Sequence, residues 1–320
     1  MFYKARRIFI WTIWSLFCLF ILPEAAFAWG PGVHIETSTY ILSHLALIAP
    51  AIKNLLSSHP FEFIYGSVCP DMVIGKRFMK KETNNHLWSE GRKILDHAGT
   101  SREAAFALGY LSHLAADTIA HNHFVPDRIL ENLDRRSGSH MFHELVFDAS
   151  LDDEVWETAR RVYSRRFRDC ELLVERNLAR TPVPQLMNRN IFLGGKIMVR
   201  VGLWSSMINK VRRRYRHLID VPGILDYQSQ VHETVLNYLN NPDSADCLQE
   251  SPTGGEILEK AHDLRRTLYL LHRRSLLSTD DHTELVGEFQ RWREELPLLE
   301  MSEKPAPVMA VAAKTAAGGV

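Results

Sequence analysis

Apolar residues recur along most of the chain at intervals of three and four, and no stretch alternates apolar with polar residues as a half-buried strand would. Ile41, Leu42, Leu45, Leu47 and Ile48 predict a buried helix over residues 35–56. The strongest run, residues 102–124, is rich in Ala and Leu and is closed by Pro126, because a proline disfavours helix at the residue before it. The same period predicts helices over residues 140–163, 169–178, 197–218, 227–239 and 255–274. A last one is expected over 282–299, carried by Leu285, Phe289 and Leu296. There is no internal repeat, and the fold class read from this pattern is all-α. After Glu303 the chain turns to Pro, Ala and Gly, which predicts a disordered tail over residues 301–320.

The N-terminus breaks the pattern. Lys4, Arg6 and Arg7 precede an apolar run from Ile8 to Leu22, followed by Pro23 and the small-x-small triplet Ala26-Phe27-Ala28. This is the layout of a cleavable secretory signal over residues 1–28. The run of about 15 residues is short of the roughly 20 that cross a bilayer. Ser15-Leu16-Phe17-Cys18 lacks the small residue a lipidated cysteine needs before it. The expected organisation is therefore a signal peptide, one helical domain over residues 29–300 and the tail, with the mature protein secreted or periplasmic.

Composition narrows the function classes. About 290 residues remain after cleavage, and 46% of the whole chain is apolar, enough for a large core. The precursor is neutral, and losing its signal leaves a net charge of about −2. That argues against a dedicated nucleic-acid binder. Three cysteines remain, Cys69, Cys170 and Cys247; an odd count excludes a fully paired framework but leaves a Cys170–Cys247 bridge open. Cys69 reads as a small buried residue.

The candidate chemistry lies in the histidines. Ten of fifteen fall between His34 and His143. His113 and Asp117 share a helix face one turn apart, and His140 and Glu144 repeat the device. One such pair is usually a surface contact, but two in apolar helices joined by His123 point further. Asp71 and His86 lie in the intervening segment. Cleavage after Ala28 would expose the α-amine of Trp29, which can chelate a metal together with its own carbonyl, with His34 close by in sequence. Imidazole and carboxylate donors of this kind suit zinc. Nine such positions are too many for one tetrahedral ion and about right for three.

The ordered pattern Trp29…His34…Gly66-Ser-Val-Cys-Pro-Asp71…His86…His113-x3-Asp117-x5-His123…His140-x3-Glu144 resembles the zinc-dependent phospholipase C family. It is also similar to the N-terminal domain of glycosylphosphatidylinositol-specific phospholipase D, and the fold is shared with the S1/P1 nucleases. The motifs cover about residues 29–150. The resemblance implies a multi-helix phospholipase C/P1 nuclease-like domain with a trinuclear zinc site. Asp71, His86, His113 and Asp117 would hold one ion, and His123, His140 and Glu144 a second. Trp29, His34 and the other oxygen of Asp117 would hold a third. Asp71 is the candidate catalytic base. Helical geometry alone would favour His121 over His123, because His121 lies two turns after His113; the family spacing favours His123.

The expected activity is phosphodiester hydrolysis by metal-activated water, with a phospholipid cleaved to diacylglycerol and a phosphorylated head group. The alternatives are an S1/P1-type single-strand nuclease, a phospholipase D-like activity, or a non-catalytic zinc-stabilised module. Met72 stands where choline-preferring members often carry an aromatic residue, and no carboxylate lies between Trp29 and His34, which argues against a choline preference. Arg160-Arg161, Arg165-Arg166 and Arg212-Arg213-Arg214 are candidates for peripheral contact with an anionic membrane. The chain is expected to be a monomer with no obligate nucleic acid.

Overall fold

In the computed structural model of the chain the described residues are 30–72, 84–131, 133, 140–178, 203–215 and 221–296. The signal segment with Trp29, and the tail, lie outside them. Among the described residues there are helices and turns and no strand, so the protein is all-α. No described helix is long and apolar enough to cross a membrane.

Three helices begin on a proline: α1 (Pro31–Ser43), α2 (Pro50–Ser58) and α3 (Pro60–Val68). Proline suits a first helical position because its missing N–H has no partner there anyway. The single helix expected over residues 35–56 is therefore two. α1 ends at Ser43, a 3₁₀ turn over Leu45–Leu47 follows, and Pro50 opens α2 after Ala49 at φ −52°, ψ 137°.

The spine is α5 (Ser101–Ile119), capped by Thr100, whose side chain accepts from the Glu103 amide. Every residue from Ala104 to Thr118 is buried. Helices α3, α4 (Trp88–Asp96) and α11 (Val221–Asn240) pack around it, and α1 lies against α3. The tightest crossing is α3 on α5. A Cβ on Gly66 would run into the Phe106 carbonyl, and one on Gly109 into the Phe63 carbonyl. Two glycines facing across a crossing let the backbones touch, and this draws the end of α3 onto the middle of α5. Phe63, Tyr65, Phe106 and Tyr110 fill the space around it with essentially no exposure, each contributing roughly 1.5–3 kcal/mol by burial.

The spine does not stop at Pro126. It widens into a π-turn over Ala120–Phe124 and continues as α6 (Val125–Glu131). The region expected as one helix from 140 to 163 is α7 (His140–Ser150) and α8 (Asp153–Tyr163). Arg212 of α10 (Leu203–Arg214) donates from Nε to the Ala149 carbonyl at 2.7 Å and also reaches the Leu151 carbonyl. It holds the break between those helices. Arg165 stacks over Phe61 at 3.5 Å. Two of the arginines considered for lipid contact thus have partners within the protein.

Helix α9 (Arg168–Asn177) follows α8, and α12 (Gly255–Arg273) and α13 (Thr279–Glu294) form the C-terminal end. Cys69, Cys170 and Cys247 are all buried, and the Cys170–Cys247 bridge that the count left open is not formed. Burial pushes the Cys170 and Cys247 thiols up to about 12, which makes them poor nucleophiles.

Candidate metal centre

His113 and Asp117 sit on α5 with no solvent exposure, His113 Nε2 lying 3.2 Å from Asp117 Oδ2. The glycine crossing brings the Ser67 carbonyl of α3 to 2.8 Å from His113 Nδ1. A carbonyl only accepts, so Nδ1 carries the proton and Nε2 presents a lone pair. Just past α3, Pro70–Met72 forms a 3₁₀ turn that aims Asp71 into the same space.

His86 arrives from the other side. Asn85 donates its amide nitrogen to the Pro70 carbonyl at 2.6 Å, which turns its oxygen toward His86 Nδ1 at 3.2 Å. His86 Nδ1 must then also carry the proton, leaving a lone pair on Nε2. That atom lies 3.2 Å from Asp71 Oδ1, 3.2 Å from His113 Nε2 and 3.7 Å from Asp117 Oδ2. His34 of α1 stacks on His113 with centroids 3.9 Å apart. Its Nε2 is 3.5 Å from Asp117 Oδ1 and 3.9 Å from Asp71 Oδ2. The two oxygens of Asp117 thus face different imidazoles.

Two imidazole nitrogens 3.2 Å apart face two buried carboxylates, so acceptor atoms from three parts of the chain converge on one small space. Burying such a set is costly unless a cation offsets it. Imidazoles fixed through Nδ1–H to a carbonyl or amide oxygen are the usual supports of zinc ligands. Ligand atoms within 4.8 Å of one another form two overlapping groups, His34-Asp71-His113 and His86-His113-Asp117. The donor set fits zinc.

The sequence comparison agrees with this geometry. A family model described as zinc-dependent phospholipase C matches residues 33–181. Those residues belong to the zinc-dependent phospholipase C family. No curated protein and no solved structure matches the chain. All the residues of the buried cluster fall within this phospholipase-family domain.

A second group lies further along the spine. His140 Nε2 is 3.0 Å from Glu144 Oε1 on α7. Against His140 stands the ring of His121, at 5.0 Å between centroids and 70° between planes. His121 is buried, and its Nδ1 meets the Pro252 carbonyl, so its Nε2 also presents a lone pair. Burial first, then the neighbouring His140, holds its pKa well below the ordinary imidazole value. His123 points elsewhere. It is about one-third exposed, at 32%, and its Nε2 lies 3.6 Å from Glu250 Oε2. The structure thus sets the ring of His121 against His140, and the ring of His123 beside Glu250. Such widened turns are often found at functional sites.

Two residues near the site carried no signal in the sequence. Asp148, one turn beyond Glu144 and fully buried, accepts from the Gly32 and Val33 amides at 3.2 Å each. It thereby holds the start of α1, two residues before His34, against α7. His262 of α12 is depressed by burial and then by His140, which places the C-terminal half close to the second group. Both depend on pairings across more than a hundred residues, which no local pattern encodes. His44 and His97 are exposed and His59 is half-buried, as surface histidines should be.

Proposed function

We propose that the protein is a zinc-dependent phosphodiesterase of the phospholipase C type. On this reading it cleaves phospholipids to diacylglycerol and a phosphorylated head group. The observation that carries it is the buried acceptor cluster of Asp71, His86, His113 and Asp117 inside a phospholipase-family domain. These four would hold one zinc ion. His34, with the Trp29 amine and the second oxygen of Asp117, would hold another. His140 and Glu144 would hold a third, with His121 as their partner in place of the His123 that family spacing suggests, because His121 is the imidazole beside His140.

When bound, zinc supplies Lewis-acid activation of water and neutralises phosphate oxygens. The residues do the rest. Asp117, shared between two groups, keeps its charge where neighbouring cations favour the ionised form. Asp71 is the least buried member of the His34-Asp71-His86-His113-Asp117 cluster, which suits a base that must take a proton from an attacking water. Ser67 and Asn85 hold the rings of His113 and His86 in the tautomer that leaves Nε2 available. Met72 packs against the core, and with no aromatic residue in its place a choline preference lacks support. Export by cleavage after Ala28 belongs to the same proposal, since it would create the Trp29 amine.

The test is product analysis. Mature, zinc-loaded protein is incubated with phospholipid vesicles, bis(p-nitrophenyl) phosphate and single-stranded DNA. Release of diacylglycerol and phosphorylated head group, abolished by chelation and restored by zinc, is the expected result. Phosphatidic acid would indicate phospholipase D chemistry. Nucleotides from DNA with intact lipid would move the assignment to a nuclease.

A further inference from the structure

The second group is completed by a part of the chain outside the phospholipase-family domain. Residues 241–254, which connect α11 to α12, run along the outside of the π-turn. At one end Arg92 of α4 anchors the connection, its Nη1 2.8 Å from Asp243 Oδ1 and its Nη2 on the Pro242 carbonyl. Trp88 then donates from Nε1 to the Glu250 carbonyl at 3.0 Å. Asn122, in the π-turn itself, donates to Glu250 Oε2 at 3.2 Å and to the Ser251 carbonyl at 3.1 Å. The next carbonyl, of Pro252, receives Nδ1 of His121.

Gly254 closes the mould. Its backbone is left-handed at φ +63°, and a Cβ there would stand 2.5 Å from the His121 Cβ and 2.6 Å from the His121 carbonyl oxygen. A glycine is required twice over, by conformation and by contact. From the far side Arg293 of α13 donates to the Asn122 carbonyl at 3.1 Å and to Asp127 Oδ1 at 2.8 Å. His121 is thus fixed in tautomer by Pro252, in position by Gly254, and through its turn by Asn122 and Arg293.

We propose that the Glu250–Gly254 segment, with Arg293, is the positioning element of the metal centre: it sets His121 against His140 and Glu144, so that the C-terminal half completes the site. This rests on the reading of His121 as a metal ligand. The physical reason for such a mould is that a π-turn, out of step with the regular helical ladder, does not hold its side chains by itself. Contacts behind a ligand change metal affinity by about 10–100-fold.

The experiment compares His121→Ala, Gly254→Ala, Glu250→Ala and Glu250→Gln in the full mature protein. The readouts are zinc per chain, the zinc competition curve against a chelator, the visible spectrum of the cobalt-substituted protein, and far-ultraviolet dichroism for folding. Gly254→Ala should weaken one ion by about 10–100-fold and alter part of the cobalt spectrum while the remaining ions stay bound. Glu250→Ala should act in the same direction and Glu250→Gln should restore binding, because an amide oxygen still accepts from Asn122. If His121→Ala empties a site but folded Gly254→Ala binds zinc like the parent, the positioning role is wrong and the ligand reading stands. If His121→Ala keeps every ion, the ligand reading fails and the proposal falls with it. Should Gly254→Ala not fold, the Glu250 pair decides: equal zinc affinity in both variants and the parent overturns the proposal.

Discussion

His113 and His121 lie eight residues apart on one helical spine, yet their rings are held by neighbours of different kinds. His113 is fixed by Ser67, 46 residues away, at a crossing where two glycines bring the backbones of α3 and α5 into contact. His121 is fixed by Pro252, 131 residues away, on a connection from the other half of the chain. The first arrangement belongs to a rigid helix pair and holds His86, Asp71 and Asp117 with it. The second depends on the connection between α11 and α12, which meets the spine through Asn122 and His121. Metal held at the His113 end should therefore be structural as well as chemical, and metal at the His121 end should exchange more readily.

The most severe way to break that contrast is Asp117→Asn. The carboxylate faces His34 with one oxygen and His86 and His113 with the other, so losing its charge acts on two groups at once. Zinc content should drop by more than one ion and hydrolysis by more than about 100-fold, beyond the usual effect of a supporting residue. Metal analysis alongside the rate checks it. Full zinc in an inactive variant would point to a purely chemical role.

Next in size is the pair His121→Ala and His123→Ala. The first should lose the exchangeable ion and most activity. The second, whose ring faces Glu250, should keep its metal. A reversed outcome would restore the family spacing and remove the distinction between the two ends. Gly109→Ala probes the other end through packing: a methyl group pressed on the Phe63 carbonyl should destabilise the fold by about 1–3 kcal/mol. Denaturant unfolding of metal-free protein measures this, and little change would mean that the α3–α5 crossing has room for a methyl group.

The smallest effect concerns pH. His121 sits below its ordinary value of 6.5 in the fold, first by burial and then through His140. The unfolded chain regains the ordinary value and takes up a proton that the folded state refuses. Stability of the metal-free protein should thus be fully present above about 6.5 and decline as the pH falls below it. Thermal midpoints across that range should fall less in His121→Ala than in the parent. Identical slopes would assign the loss to other groups.

Much of the first end was readable in one dimension. His113 and Asp117 are one turn apart on an Ala- and Leu-rich helix, and that spacing alone puts both donors on one face. The order of Asp71, His86, His113 and Asp117 carried the family. The break at Pro50 was legible from proline chemistry, although the apolar period ran across it. The widening at Ala120–Phe124 was not: Pro126 reads as a stop, yet the chain passes through it as a helix.

What the sequence by itself determined was the helical class, the residue types of a zinc centre and the turns that pair them, because those follow from periodicities of three and four. What only the tertiary structure decided was which imidazole faces His140, how Asp148 holds the start of α1, and that the Pro252 carbonyl lies against His121. The Asp148 and Pro252 contacts join residues more than a hundred apart and His121 meets His140 across separate helices, so the geometry is set by packing and not by spacing along the chain.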